Sequence, residues 1–311
     1  MEPITQEAIL YFASADNCRE YLVARRWPDG VTCPHCGSKS VVFQPKHNRW
    51  QCASHHARRQ FTLKTGTIFE DSPVGLDKWL AAMWQIVNCK NGISSYEVHR
   101  AIGVTQKTAW FMDHRIRFAL GIGSVNKLSG DLEADDESFI GAKARNMHVD
   151  VRKRRITGTG TKNKTAVMGI LQRGGNVRAA VVLNRKKTAL QAEVKKHVEA
   201  GSALYTDALL SYEGLASDYA HKVLDHAVAY ADGRMHTNGL ENFWSLLKRG
   251  IGGTYVSVKP FHLFRYLDEQ TFRYNNRKDM SDADRFNLAV SQIVGKRLTY
   301  AGLTGKVGEA F

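Results

Sequence analysis

The spacing of apolar residues predicts a helix with one buried face between residues 236 and 250, HTNGLENFWSLLKRG. The apolar face consists of Leu240, Phe243, Trp244 and Leu247, and the polar stripe of Asn238, Glu241, Ser245 and Lys248. Such a stripe is typical of either a solvated surface or the wall of a site. Asn238 and Glu241 also have the spacing of a helix capping box, with Gly250 as the stop.

Helical periodicity dominates the first 126 residues outside a cysteine-containing segment. Helices are predicted at residues 6–12 and 16–26, and again from residue 79 onward. Ser94 and Glu97 form a capping box for a helix that ends near residue 102, and Thr105 can cap the next helix. Two helices joined by a short glycine-containing turn indicate a helix-turn-helix, whose exposed basic residues are expected to include Lys107, Arg115 and Arg117. We expect this pair to bind DNA.

From residue 127 the pattern alternates, as in strands. Strands are predicted at 132–143, 165–171, 177–183, 202–207 and 222–224, with helices at 188–199, directly after Asp207, at 236–250 and at 261–276. This order is that of a mixed α/β sheet of the ribonuclease H kind. The helix at 261–276 carries three arginines that are expected either to face solvent or to bind phosphate: Arg265, Arg273 and Arg277.

The predicted organisation is α/β, with an N-terminal zinc ribbon and helix-turn-helix followed by a ribonuclease-H-like mixed sheet with helices. The expected regions are a helical segment at 1–30, the ribbon at 31–72, the helix-turn-helix at 73–126, the catalytic domain at 127–280 and a polar tail at 281–311.

Two closely spaced pairs of potential metal ligands indicate the ribbon. The first pair is Cys33 and Cys36, and the second is Cys52 and His55. Two ligand pairs separated by a short hairpin suit tetrahedral zinc. Because protein side chains fill all four ligand positions, we expect a structural rather than a catalytic zinc site. His56 is an alternative to His55, and His35 is a weaker candidate.

The charge of the chain indicates a polyanionic partner. Its 311 residues include 44 Lys and Arg against 30 Asp and Glu, a net charge of +14. The basic residues cluster between 143 and 164, which favours nucleic acid over a membrane surface. We expect a cytoplasmic, nucleoid-associated protein because the chain shows neither an apolar run long enough to span a bilayer nor a secretion signal.

Acidic residues suggest a second metal site. The first strand carries four acids between Glu133 and Glu137, Asp207 ends a later strand, and Glu241 lies on the helix described first. Carboxylates that converge from separate elements can hold Mg²⁺ or Mn²⁺, and such ions support phosphoryl transfer.

Several motifs, in order, resemble the zinc-ribbon branch of the DDE transposases encoded by bacterial insertion sequences. They are CPHC with CASH, FTLKTGTIFEDS, GISSYEVHRAIG, DDESFIGAK, YTDALLSY, HTNGLENFWSLLKRGIGGTY and FRYNNRK. The resemblance covers about residues 16–280. It implies a ribonuclease-H-like domain with divalent metal that cuts and joins DNA at the ends of a mobile element, acting as a homodimer or higher oligomer on that DNA.

The resemblance implies a catalytic triad of Asp136, Asp207 and Glu241. Counting back from Phe139-Ile140-Gly141 selects Asp136, while strand alternation keeps Asp135 as the fallback. By the same resemblance Lys248 contacts DNA, and Asn238 shares the role of the third acid or positions DNA. Two other functions stay open: a non-catalytic DNA-binding regulator, and a nuclease without strand transfer.

Overall fold

The computed structural model describes residues 10–121, 126–139, 147–156, 158, 164–207, 210–224, 237–256 and 258–306. The helices are α1 (Ala15–Arg26), α2 (Leu76–Asn88), α3 (Ser95–Ile102), α4 (Gln106–Leu120), α5 (Val149–Arg155), α6 (Lys187–His197), α7 (Asn238–Arg249), α8 (Leu263–Asn275), α9 (Asp282–Ser291) and α10 (Tyr300–Leu303). The strands are β1 (Val41–Gln44), β2 (Arg49–Cys52), β3 (Gln60–Phe61), β4 (Asp131–Phe139), β5 (Thr165–Gln172), β6 (Val177–Val182), β7 (Ala203–Asp207) and β8 (Ala220–Leu224).

The chain divides into two compact units. One comprises residues 1–89, 93–120 and 279–311, and the other comprises 90–92 and 121–278. Within the described ranges, no helix combines the length and the apolar character that crossing a membrane requires.

The first unit contains a three-stranded antiparallel sheet, β1-β2-β3, and the helices α1 to α4, α9 and α10. The small sheet packs its aromatic residues against the end of α1, where the rings of Trp27, Trp50 and Phe61 lie within 6.2 Å of one another. Arg26 of α1 donates hydrogen bonds to the carbonyls of Leu63 and Thr65, each at 2.6 Å. The ribbon is therefore fixed to the preceding helix.

The helix pair α3–α4 has the capping that the sequence predicts. Ser94 and Glu97 form both bonds of the capping box, and Gly103 ends α3 in the left-handed conformation, at φ 63°. The prediction of an exposed basic face is wrong for two residues, because Arg115 and Arg117 are buried at 4% and 1% exposure. Lys107, at the N-terminal end of α4, is exposed.

The segment expected as a polar tail folds as part of the first unit. Phe286 of α9 stacks on Tyr21 and meets Trp84 edge-on, with ring centroids 6.0 and 5.4 Å apart. Arg285 Nε donates to Asn88 Oδ1 at 3.0 Å. These contacts bury the apolar face of α9 against α1 and α2.

The second unit is built on a five-stranded sheet in the order β6-β5-β4-β7-β8. β4, β5 and β6 are antiparallel neighbours, whereas β4, β7 and β8 run parallel. This mixed topology agrees with the predicted ribonuclease-H-like fold. One face of the sheet packs around Leu190 and Val194 of α6, and the other packs against α7 and α8.

Two predicted elements differ from the structure. In place of a helix after Asp207 there are short 3₁₀ turns at Leu210–Tyr212 and Leu215–Ser217, separated by Gly214 at φ 90°. Burial of Tyr212 and Leu215 in the core explains this break. Gly250, expected as the stop of α7, instead begins a π-helical continuation, Gly250–Tyr255.

Candidate active site and zinc ribbon

The acid-rich strand β4 presents alternate residues to opposite faces of the sheet. Leu132 and Ala134 belong to the core on the α6 side. Glu133, Asp135 and Glu137 face α7 instead. The contacts with α7 are Leu240 N–H to Glu133 Oε2 at 3.0 Å, Trp244 Nε1–H to Asp135 Oδ2 at 2.9 Å, and Lys248 Nζ to the Glu137 carboxylate.

The regular spacing of these contacts follows from helix and strand geometry. Four residues of helix rise about 6 Å, and two residues of strand advance about 6.6 Å. Every fourth residue of α7 therefore meets every second residue of β4. The carboxylate of Glu133 also satisfies a backbone N–H in the first turn of α7, where a negative charge is favourable.

Two glycines let α7 approach the sheet closely. A Cβ at Gly169 of β5 would lie 2.7 Å from Trp244 Cζ2, and a Cβ at Gly239 would lie 2.3 Å from Leu171 Cδ2. Gly169 is the residue paired with Asp135 in the antiparallel register. The indole of Trp244 therefore occupies the space beside Asp135 that a side chain at position 169 would need.

The parallel register brings Asp135 next to Asp207. Ala134 pairs with Thr206, so the following residues lie side by side, with Asp207 at the end of β7 and Asp135 in the middle of β4. Arg173 gives independent evidence that the two aspartates lie on the same face of the sheet. It forms an ion pair with Glu133 at 3.1 Å, and its guanidinium stacks on the ring of Tyr205 at 4.0 Å. Glu133 and Tyr205 each lie two residues before these aspartates.

The electrostatics of Asp135 reflect this placement. Burial and, to a lesser extent, the nearby carboxylate of Asp207 raise the pKa of Asp135 to about 7, against the lowering effect of the Trp244 hydrogen bond. Two carboxylates crowded at a partly buried strand end repel each other unless a cation lies between them. Their oxygens are also the ligands that Mg²⁺ and Mn²⁺ prefer. The donor set therefore fits a divalent cation.

Asp136 lies on the opposite face of β4. Its carboxylate, whose side chain has no exposed surface, accepts a hydrogen bond from Arg185 Nε and another from the Tyr212 hydroxyl at 3.3 Å. Burial raises its pKa while Arg185 lowers it. The structure thus brings the fallback residue Asp135, rather than Asp136, to the face shared by Asp207 and α7.

Glu241 is exposed in the first turn of α7, where its Oε1 accepts a hydrogen bond from the Thr237 hydroxyl at 3.5 Å. Thr237 is the N-cap, so the predicted capping box of Asn238 and Glu241 does not form. Asn238 is exposed as the first residue of the helix, and Lys248 forms an ion pair with Glu137.

The direction of Glu241 follows from the helix wheel. Glu241 and Phe243 are two residues apart, which sets their side chains about 160° apart around the helix. Phe243 meets Tyr274 of α8 at a ring distance of 5.3 Å, and Asn275 of α8 bonds to the backbone of Val177 in β6. Glu241 therefore projects from the flank of α7 opposite α8. Given the strand order, that flank is on the β7 side of α7.

The arginines predicted on α8 do not form a single exposed row. Arg273 is buried and pairs with Glu269 inside the second unit. Arg277, just after the helix, stacks on the Tyr274 ring at 3.5 Å. Because Arg273 is buried in this ion pair, it cannot bind a phosphate of DNA.

The ribbon brings together Cys33, Cys36, Cys52 and His56, whose ligand atoms all lie within 4.8 Å of one another. The prediction of His55 as fourth ligand is wrong, and the alternative His56 takes that place. Three residues separate Cys52 from His56, whereas two separate it from His55. The longer spacer lets the imidazole of His56 reach Cys33.

The distances in this cluster fit zinc. Cys36 Sγ and Cys52 Sγ are 3.7 Å apart, and Cys33 Sγ and His56 Nε2 are 3.5 Å apart. A zinc tetrahedron predicts about 3.8 Å and about 3.5 Å for such pairs. Burial raises the pKa of the Cys52 thiol, but hydrogen bonds with His56, Ser54 and Cys36 outweigh this effect and lower the pKa to about 6. The thiolate, which is the form that binds a metal, therefore forms readily at neutral pH.

Sequence reasoning missed three residues of the sheet site. Glu133 caps α7, Trp244 orients Asp135, and Arg185 pairs with Asp136. The apolar pattern assigned Trp244 to the core, and its polar edge gave no separate signal. Arg185 lies in a loop whose approach to β4 depends on the tertiary fold.

Comparisons with known proteins agree with this architecture. Residues 127–275 match the family described as ISXO2-like transposase domain, and residues 13–58 match the transposase zinc-ribbon domain. A Halobacterium salinarum protein named as an uncharacterized protein in transposable element ISH50 is 27% identical over 256 residues, which cover 77% of this chain and 84% of that protein. An uncharacterized transposase-like protein of Haemophilus influenzae is 31% identical over 101 residues, covering 32% of this chain and 81% of the relative. No solved structure matches significantly.

Proposed function

This chain belongs to the ISXO2-like transposases that carry a zinc ribbon, and on that basis we propose that it cuts and joins DNA at the ends of an insertion sequence through Asp135, Asp207 and Glu241. The observation that supports the proposal is the parallel register of β4 and β7, which sets Asp135 beside Asp207. Glu241 lies in the first turn of α7, the helix that packs on the same face of the sheet.

The choice of Asp135 as first acid rests on three features. It shares its face of the sheet with Asp207, it lies against the helix that carries Glu241, and its carboxylate is oriented by Trp244. Asp136 has the motif position but is already engaged by Arg185 and Tyr212 on the other face.

The carboxylates would hold Mg²⁺ or Mn²⁺, which supplies charge neutralisation at the phosphodiester and activation of the attacking water or 3′ hydroxyl. The chain's own residues provide the positioning. Trp244 fixes the orientation of Asp135 from one side, and Thr237 bonds to Glu241. The reaction first hydrolyses a phosphodiester, which releases a 3′ hydroxyl, and then directs that hydroxyl onto a phosphodiester of target DNA.

DNA binding by the first unit completes the proposal. The exposed N-terminal end of α4, with Lys107, suits entry into a groove, as in helix-turn-helix proteins whose second helix contacts bases through its first turns. The ribbon contributes further basic surface through Arg58, beside the zinc cluster. Two or more subunits would hold the two ends of the element, and binding should weaken steeply with salt.

The test uses duplex DNA carrying the inverted repeats that flank the gene, one with an intact end and one pre-cleaved to expose a 3′ hydroxyl. With Mg²⁺, the proposal predicts cleavage of the first and joining of the second. Asp207→Asn and Glu241→Gln should lose both reactions while retaining DNA binding. Lys196→Gln, an exposed residue of the same unit, is the control and should keep both activities.

Other outcomes identify the rival functions. Binding without cleavage or joining by the unmodified chain would indicate a DNA-binding regulator. Cleavage without joining of the pre-cleaved end would indicate a nuclease.

A further inference from the structure

The connection between α9 and α10, residues 292–299, follows α4 in the antiparallel direction. Lys296 Nζ donates to the carbonyl of Ala119 near the C-terminal end of α4 at 2.6 Å, and Arg115 Nε donates to the carbonyl of Leu298 at 3.0 Å. Two residues of the connection therefore match four residues of the helix, which is the ratio expected for an extended chain that lies along a helix. All of these residues belong to the first unit.

Tyr300 continues this pattern at the exposed end of α4. Its ring meets the ring of Phe111, four residues before Arg115, edge-on with the centroids 5.8 Å apart. One helical turn closer to the N-terminus of α4, Lys107 Nζ lies over the Tyr300 ring at 5.2 Å from its centroid. An ammonium group within about 6 Å of an aromatic ring is attracted to the face of the ring. The ring of Tyr300 therefore holds the exposed side chain of Lys107 in place.

Backbone and side-chain contacts hold the connection from its other side. Gly295 N–H donates to the carbonyl of Gly66 at 2.9 Å, and Arg297 Nη2 donates to Asp71 Oδ2 at 2.6 Å. Gly66 and Asp71 both lie in the segment that follows the ribbon strand β3. Tyr300 is thus presented by a connection that is fixed both to α4 and to the chain after the ribbon.

The buried position of Arg115 has a reason in this arrangement. Besides the bond to Leu298, its guanidinium lies over the ring of Phe111, 4.6 Å from the centroid. Arg115 therefore fixes the connection from inside the unit. Of the three basic side chains expected on the DNA-facing side of α4, Lys107 is the one that is exposed.

Holding a lysine by an aromatic ring favours phosphate binding for two reasons. A free lysine side chain has many rotamers and loses this freedom when it binds, so a side chain that is already held loses less. An aromatic ring, unlike a carboxylate, also uses none of the hydrogen-bond donors of the ammonium group. The Tyr300 ring is 41% exposed, so a DNA backbone can approach this pair.

We propose that the connection after α9 is part of the DNA-binding surface, because it places Tyr300 where its ring positions Lys107 to bind a phosphate of the element-end DNA. This inference rests on the proposed function, since it adds a positioning residue to the helix-turn-helix surface. Lys107 makes the phosphate contact, and Tyr300 acts through Lys107.

The test is a double-mutant cycle on Lys107 and Tyr300 in the zinc-loaded, full-length protein, with Lys196→Gln as the control for loss of one charge. Binding to duplex DNA that carries the flanking inverted repeats is measured over a series of salt concentrations. Lys107→Gln should weaken binding about 8-fold at about 0.1 M salt and reduce the salt slope by about 0.9.

The tyrosine variants separate the ring from general packing. Tyr300→Leu keeps an apolar contact with Phe111 but removes the ring face, and it should weaken binding about 2- to 5-fold. Tyr300→Phe should retain the affinity because it keeps the ring. In the Lys107→Gln background, Tyr300→Leu should have no further effect, because the side chain through which the ring acts is gone.

The proposal is overturned if Tyr300→Leu leaves binding unchanged, or if its loss is the same in the Lys107→Gln background, which would indicate a role in folding alone. It is also overturned if Lys107→Gln has the affinity and salt slope of Lys196→Gln, or if the unmodified protein does not bind the DNA. If the unmodified protein binds the DNA but joins no ends, the proposed function fails, whereas the cycle still decides the role of Tyr300.

Discussion

Replacing Gly169 by alanine tests how α7 is held at the sheet. An added Cβ would lie 2.7 Å from Trp244 Cζ2 and 2.9 Å from Leu240 Cδ2. Because Trp244 is only 3% exposed and its ring is rigid, the contact cannot be relieved by a rotation into solvent. Restoring ordinary carbon–carbon contact, about 3.5–4.0 Å, requires the ring to move by about 1 Å.

The expected loss of stability is small but measurable. Overpacking of a core costs about 1–3 kcal/mol, and replacing a strand glycine recovers about 0.5–1 kcal/mol of that. We therefore expect Gly169→Ala to lower the free energy of unfolding by about 1–2 kcal/mol. The same 1 Å movement can break the 2.9 Å bond from Trp244 to Asp135. A misplacement of that size can cost about 100-fold in the rate of joining.

The assay pairs urea unfolding, followed by circular dichroism, with joining of a pre-cleaved DNA end. Gly253→Ala is the control, because an added Cβ there meets no heavy atom within 4 Å. Gly169→Ala should be both less stable and less active than Gly253→Ala. Equal stability and equal joining rates for the two variants would refute the close packing of Trp244 on β5.

Two further predictions concern the first unit. His56→Ala should lower the zinc content of the purified protein and expose the ribbon to proteolysis, whereas His55→Ala should leave both unchanged; equal zinc loss in the two variants would contradict the ligand assignment. Ser94→Ala should destabilise the protein by about 1 kcal/mol at pH 7. Hydrogen bonds from Ser94 lower the pKa of Glu97, so this stabilisation is present above the ordinary glutamate pKa and is lost as the pH falls through the lowered value. The difference between Ser94→Ala and the unmodified protein in urea unfolding should therefore narrow below about pH 4. A difference independent of pH would contradict the hydrogen bond from the Ser94 hydroxyl to the Glu97 carboxylate.

Local signals in the sequence were sufficient for much of the fold. Three such features are the capping box at Ser94 and Glu97, the apolar face of α7 and the apolar run of β5. Each depends on neighbours close in the chain, and the structure has all three. The segment after Asp207 shows the limit of such signals. Its residues favour a helix locally, but burial of Tyr212 and the turn at Gly214 prevent one.

The choice between adjacent acids required tertiary information. Strand alternation established that Asp135 and Asp136 point to opposite faces, but it could not say which face meets α7. That face is decided by the register of β4 with β7 and by the glycines that admit Trp244 and α7. Similarly, the spacing of the ribbon ligands left His55 and His56 open, and the fold of the loop after Cys52 decided between them.

The most direct test of the central claim compares Mn²⁺ binding and strand joining in Asp135→Asn and Asp136→Asn. Asp135→Asn should lose both, as Asp207→Asn does. Asp136→Asn should retain Mn²⁺ binding. Loss of Mn²⁺ binding in Asp136→Asn together with full binding and joining in Asp135→Asn would contradict the assignment of the carboxylate site.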